Sequence, residues 1–318
     1  MNLTDLAANF SNADDARAFL EKVRWPDGTI CPHCGVEDKA YRLQPKPGSK
    51  SAVRPGVWKC KDCRKQFTVM VGTIFSDSHI PLHKWLMAIH LLCASKKGMS
   101  SHQLHRMLGI TYKSAWHMTH RIRLAMSPTM IKKLSGTVEV DETYVGGKRR
   151  GIGGRGRPDV DSHKSPVVSL VQRDGKVRSF HVPRVSAKNL KEVMRENIQP
   201  GAEIMTDDFS AYDWVKKEFQ HDVIKHTAGS FSRREGTKRI HTNTAEGFFS
   251  LLKRGIHGTF HHVSKQHLHR YLNEFDFRYN ARKIDDGTRT LMAIRGVAGK
   301  RLMYRNAKPK TSVKPQSI

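Results

Sequence analysis

No uninterrupted apolar stretch in this sequence approaches the roughly 20 residues that a bilayer-crossing helix needs, which argues against a membrane protein. Acids are scarce. Asp plus Glu number 29 against 56 Lys plus Arg, leaving a formal net charge of +27. A chain so poor in negative charge is unsuited to cationic partners. It attracts polyanions, with an affinity that salt weakens, as proteins that neutralise nucleic-acid phosphates do. Cysteines number five, and Met1 to Leu20 lacks the basic start and apolar run of a secretory signal. A disulfide-stapled secreted fold is therefore not expected, and a cytoplasmic protein is. What is present suffices for folding: 318 residues with 38% hydrophobic content can bury at least one large core and form two or three domains.

Four of the cysteines form two CxxC pairs, Cys31-Pro32-His33-Cys34 and Cys60-Lys61-Asp62-Cys63. Each pair can make a tight knuckle presenting two thiolates, and two knuckles complete a tetrahedral zinc site with no open position. That closure predicts a structural zinc rather than a catalytic one. His33 between two ligands reads as a solvated loop residue, and Cys93 on an apolar helical stretch reads as a buried thiol.

Residues 81–126 carry three helical patterns. The first has Trp85, Ile89, Leu92 and Cys93 at helical spacing, and the second runs from Ser100 to Leu108 and stops at Gly109. The third starts at Thr111 and runs to about Met126. A short helix, a turn with Gly and a basic second helix make the helix-turn-helix pattern. Lys113, His117 and Arg121, with His120, are its candidate contacts to a DNA groove or phosphates.

From residue 137 the period changes to two. Strands are expected at 137–141, 166–171 and 177–182, the last two joined by an Asp174-Gly175 turn; a helix capped by Ser186 follows. Next come a strand at 203–207, a helix at about 210–219, a strand at 222–225 and a helix from about Thr244. That order is RNase-H-like, an α/β mixed sheet with helices on both faces. Between the first two strands, Gly151-Ile152-Gly153-Gly154-Arg155-Gly156 spells GxGxxG. Arg157-Pro158-Asp159 follows it instead of an apolar helix, so a basic loop that touches DNA is expected rather than a nucleotide site. The expected division is residues 1–76 for a lead-in helix and zinc ribbon, 77–130 for the helix-turn-helix, 131–295 for the RNase-H-like domain, and 296–318 for a basic, disordered tail.

Metal-dependent phosphodiester cleavage needs hard oxygen ligands gathered closely. Asp141 closes the first expected strand and Asp207 the fourth, so parallel neighbouring strands would bring both to one sheet edge. Glu246 lies beside the core stripe Ala245, Phe248, Phe249 and Leu252, on a polar face with Asn243, Lys253 and Arg254, which are candidate DNA contacts. Strand-end and first-turn acids often have purely local roles. Glu139, Glu142 and Asp208 are competing acids close by, and Asp208 stays open as a replacement for Asp207.

Val138 to Lys148, Thr206-Asp207 and His241 to Gly255 resemble the three catalytic blocks of bacterial insertion-sequence DDE transposases, in the subgroup with an N-terminal zinc ribbon and an RNase-H-like core. Val71 to Phe75 and Glu274 to Asn280 are also similar to that group's signatures. The resemblance implies that Asp141, Asp207 and Glu246 form a catalytic triad holding Mg²⁺, with Mn²⁺ as substitute. It further implies cleavage of double-stranded DNA at transposon ends, strand transfer into a target, and a homo-oligomer working on DNA in the nucleoid. A zinc-ribbon and helix-turn-helix regulator without catalysis is the alternative.

Overall fold

A computed structural model describes residues 4–5, 10, 12–45, 53–130, 132–147, 164–224, 232–236 and 238–304. The GxGxxG stretch and the basic tail from Asn306 lie outside them. None of the described helices is long and apolar enough to cross a membrane.

Helix α1 (Ala13–Arg24) starts where Asn12 accepts the N–H groups of Asp14 and Asp15, and it leads into a small antiparallel sheet. The strands β1 (Ala40–Arg42), β2 (Trp58–Cys60) and β3 (Gln66–Phe67) pair in that order. Trp25 meets Trp58 and Phe67 edge-on, with ring centres 6.1 and 5.9 Å away.

The three expected helices follow as α2 (Leu82–Ala94), α3 (Ser101–Leu108) and α4 (Tyr112–Ala125). Ser100 caps α3, Gly109 ends it with φ 58°, and Thr111 caps α4. A residue with a Cβ rarely adopts that left-handed turn. Gly109 and the Thr111 cap fix the turn between α3 and α4, while Ser100 fixes where α3 begins.

The central sheet has five strands: β4 (Thr137–Val145), β5 (Ser165–Gln172), β6 (Val177–His181), β7 (Glu203–Asp207) and β8 (Gln220–Ile224). Their order is β6-β5-β4-β7-β8, with β4, β7 and β8 parallel and β5 antiparallel to both neighbours. Alternation along β4 sends Val138 and Val140 to one face, where Leu190 and Met194 of α5 (Ala187–Asn197) join Tyr212 and Val215. The opposite face packs Val145, Val167, Val171 and Val177 against α6 (Asn243–Gly255) and α7 (Leu268–Asn280). The mixed sheet with helices on both faces is the expected RNase-H-like arrangement.

Two local expectations are corrected, and one element was not expected. Strand β4 does not end at Asp141 but stays paired with β5 as far as Val145 opposite Ser165. The segment 210–219 forms two short 3₁₀ turns, Ser210–Tyr212 and Val215–Lys217, instead of a helix. Its buried anchors Tyr212 and Val215 are three residues apart, the 3₁₀ period, and the Tyr212 hydroxyl is held by Glu142 at 2.8 Å. A hairpin of β9 (Arg233–Glu235) and β10 (Lys238–Ile240) also precedes α6, and its polar sequence gave no alternation to find.

Helix α8 (Asp286–Arg295) turns away from the sheet and shares one core with α1, the ribbon and α2 to α4, through Ala293 and Ile294. Beyond it, the Ile74 N–H donates to Val297 at 3.2 Å and Thr73 bridges Ala298, so the Val71–Phe75 segment holds the returning chain. The expectation of a disordered tail from residue 296 is corrected for its first residues, where Val297 is buried in this core.

Helix α7 joins this helical unit to the sheet. On one side Glu274, fully buried, pairs with Arg123 of α4 at 2.6 Å and with Arg278 one turn along. On the other, Asp276 accepts the Ser179 N–H at 2.7 Å, and Asn280 takes the Val177 N–H at 2.7 Å and donates to its carbonyl at 3.0 Å. These bonds cover the outer edge of β6, which would otherwise be an exposed pairing template. Burial pushes the Asp276 carboxyl up to about 7 even though Ser179 donates to it. Removing the shared acid leaves two buried guanidinium groups uncompensated, so Glu274→Ala should cost about 3–5 kcal/mol. Denaturant unfolding monitored by tryptophan fluorescence measures this, and an unchanged midpoint would contradict the pairing.

Candidate functional site

The four ribbon cysteines converge. Cys31 and Cys63 sulfurs are 3.7 Å apart, as are those of Cys34 and Cys60, and all four sulfurs lie within 4.8 Å of one another. Burial pushes the Cys31 thiol up, but hydrogen bonds from the backbone N–H groups of Cys34 and His33 and from the Cys34 and Cys63 thiols together bring the group down to about 7. Four soft donors closing on one point support a structural zinc, with no place left for a substrate. Cys93 stays apart as a buried thiol, pushed up to about 12 by desolvation. Structural zinc supplies on the order of 10 kcal/mol of apparent folding energy, so chelation should open residues 31–67 to proteolysis. An identical digestion pattern with and without chelator would count against zinc.

The acids are set by the sheet register. Thr137, Val138 and Glu139 pair in parallel with Glu203, Ile204 and Met205, an offset of 66 residues. Asp141 and Asp207 have the same offset, two residues past the last paired rung, and alternation puts both on the face covered by α6. Asp207 accepts the Phe209 N–H at 3.2 Å in a side-chain turn, and β7 ends there, before the exposed Asp208. Glu246 is exposed in the first turn of α6, which packs on β4.

Burial pushes Asp141 up to about 7. The charge of Glu142 adds to this, a hydrogen bond from the Glu142 N–H opposes it, and the charges of Asp207 and Glu246 contribute further. The three predicted acids are therefore within electrostatic reach of one another. They are less tightly gathered than the sulfurs: among the described residues, the cysteine quartet is the group whose donor atoms all come within 4.8 Å.

An acid raised from an ordinary 3.8 to about 7 holds its proton in the folded protein over a window in which the unfolded chain has lost it. Ionised Asp141 thus costs stability above pH 7, and the cost fades as pH falls towards 4. Asp141→Asn should melt higher than wild type at pH 8 without added divalent metal, with the difference vanishing near pH 4. Superimposable melting curves at pH 8 would refute this.

Glu139, one alternation before Asp141, is fully buried and engaged by four donors. Its composition gave no sign of a special role, because its partners come from 34 to 106 residues away. The one available signal is an acid two residues before Asp141, on the same face of a strand and between the apolar residues Val138 and Val140.

Lys113 is exposed, with its ammonium group 4.9 Å over the Tyr304 ring, and His117 is half-buried against the same ring at 5.5 Å. Arg121 is corrected. It is buried, donates to the Ser76 carbonyl and lies over Trp85, because the later turns of α4 face the helical core. His120 is also corrected: it is enclosed by Trp116, His267 and Tyr271, and burial followed by the Arg123 charge lowers it to about 2. Asn243, Lys253 and Arg254 are exposed along α6.

Comparison with known proteins gives the class first. Residues 133–280, which hold the sheet and its acids, match the ISXO2-like transposase domain, and residues 11–66 match the transposase zinc-ribbon domain. An uncharacterized protein in transposable element ISH50 of Halobacterium salinarum is 28% identical over 283 residues, spanning 83% of this chain and 89% of the relative. An uncharacterized transposase-like protein of Haemophilus influenzae is 30% identical over 110 residues, covering 34% of this chain and 85% of the relative. The chain belongs to the insertion-sequence transposases that carry an N-terminal zinc ribbon and an ISXO2-like, RNase-H-like core.

Proposed function

We propose that the protein cuts DNA at the ends of its own transposon and joins the freed ends to target DNA, with Asp141, Asp207 and Glu246 as its catalytic acids. The observation that carries this reading is the shared register of Asp141 and Asp207 beneath the first turn of α6. Carboxylate oxygens are hard donors, and acids whose charges reach one another fit a divalent cation such as Mg²⁺, with Mn²⁺ as a substitute. Such an ion supplies activation of the attacking oxygen and stabilisation of the leaving one.

The remaining tasks belong to the chain. Lys253, two turns beyond Glu246, with Asn243 and Arg254, would hold backbone phosphates along α6, where their charge fixes position without reading sequence. Lys113 and His117, at the start of α4, would engage the DNA end through the helix-turn-helix, while Arg121 keeps that helix seated. Water attacks the phosphorus at the transposon end and the 3′ oxygen leaves. That 3′-hydroxyl then attacks a target phosphodiester, so a bond to phosphorus is formed for each one broken. Pairing two ends calls for a homo-oligomer on the DNA. The domain division proposed is a ribbon and helix-turn-helix unit for docking and a sheet domain for chemistry, with α8 assigned to the former.

The test is a plasmid carrying the gene with its native flanks, incubated with Mg²⁺ or Mn²⁺. Wild type should give breaks and target-joined products at defined ends, and Asp207→Ala and Glu246→Ala should reduce both below detection. Tight end binding without breaks by a folded, zinc-loaded wild type would instead favour a DNA-binding regulator.

A further inference from the structure

The first-turn N–H groups of a helix have no partner within the helix and attract a carboxylate. In α6 the residue at the N-cap, Thr242, makes no side-chain capping bond. The carboxylate comes instead from Glu139, more than a hundred residues earlier in the chain. One of its oxygens accepts the N–H groups of Thr244 at 2.8 Å and Ala245 at 3.0 Å, and the other accepts the Thr244 hydroxyl at 2.9 Å.

The same acid pairs with Arg173 at 2.8 Å, and Arg173 reaches the segment leading into α6, donating to the Arg239 carbonyl at 2.5 Å and the His241 carbonyl at 2.9 Å. The clamp therefore grips both the approach to the helix and its first turn. Glu246 is the next residue after Ala245, and Asp141 lies one alternation beyond Glu139 on β4. A single side chain thus ties the backbone that presents one acid to the backbone that presents the other.

We propose that Glu139 is the positioning residue of the acidic site: it sets the rotation and height of α6 on the sheet, and with them the place of Glu246. This rests on the reading of Asp141, Asp207 and Glu246 as cation-binding acids. Glu139 touches neither cation nor DNA in this role. Its effect passes through Glu246, which separates it from a buried ion pair that only adds stability. Glutamine at this position keeps the shape but loses the charge. Its amide nitrogen cannot accept the N–H and hydroxyl donors of α6.

The experiment is a double-mutant cycle on the full-length, zinc-loaded protein, with Mn²⁺ as the probe and free Mn²⁺ followed by electron paramagnetic resonance. Glu246→Gln should weaken Mn²⁺ binding. Glu139→Gln should weaken it about 10–100-fold, the size typical when a group supporting a metal ligand is lost. The double variant should bind no more weakly than Glu246→Gln alone, and amide exchange at Thr244 and Ala245 should quicken in Glu139→Gln.

If Glu246→Gln binds Mn²⁺ like wild type, the reading of the acidic site itself fails. If Glu246→Gln loses affinity while Glu139→Gln, with unchanged circular dichroism, retains it, the positioning role alone is overturned. Losses that add fully in the double variant overturn it too, since Glu139 would then act independently of Glu246. Should Glu139→Gln not fold, the cycle is run with Glu139→Asp, which keeps the charge and shortens the reach, with the same expectations.

Discussion

A helix that carries an acid to a sheet edge has to be held at its N-terminus, and in this protein the grip is a carboxylate buried inside the sheet domain. Glu139 satisfies two backbone donors and a hydroxyl of α6 and is itself neutralised by Arg173. A buried charge without such partners would cost several kcal/mol, so the arrangement stands only when strand, helix and arginine are all in place. The apolar stripe of α6 supplies much of the attraction to the sheet, but apolar contacts are non-directional and do not by themselves fix a helix about its axis. The hydrogen bonds at its first turn supply that direction.

Near that grip, on the same strand, an ionised Asp141 opposes folding. Asp141 is pushed to about 7 by burial and by its acidic neighbours, in a chain that otherwise carries a large positive surplus. Local negative charge of this kind is the pattern of a site whose electrostatics serve a ligand rather than the fold. The surrounding sheet bears the strain because its two faces are filled by separate apolar clusters, each covered by helices.

The helical unit and the sheet domain meet at a second buried charge cluster. Glu274 lies between Arg123 and Arg278, and Arg123 also lies 3.9 Å from the centre of the Tyr271 ring. The stretch Glu274 to Asn280 divides its labour by helical face: Glu274 and Arg278 join the arginine of α4, while Asp276 and Asn280 satisfy the edge strand β6. A stretch that stands out in sequence as a family-like signature is architectural in the fold. It couples the surface that would dock DNA to the domain that would cut it.

The sequence by itself determined those features whose cause is local. Two CxxC knuckles define a four-sulfur site, a cap and a glycine place the turn between α3 and α4, and period-two alternation marks the strands of the sheet. The order of elements is enough to suggest the mixed sheet and to mark Asp141 and Asp207 as strand-borne acids. Tertiary structure alone decided which side chains on those elements are free. Arg121 and His120 follow Lys113 on one basic helix, yet they turn inward because α2 and α7 pack over the later turns of α4. Glu139 and Glu142 flank Asp141 in sequence, yet one grips a helix and the other holds Tyr212, because successive strand residues face opposite sides of the sheet. Partners that far apart in the chain meet only after the sheet has formed, and a short-range pattern carries no trace of them.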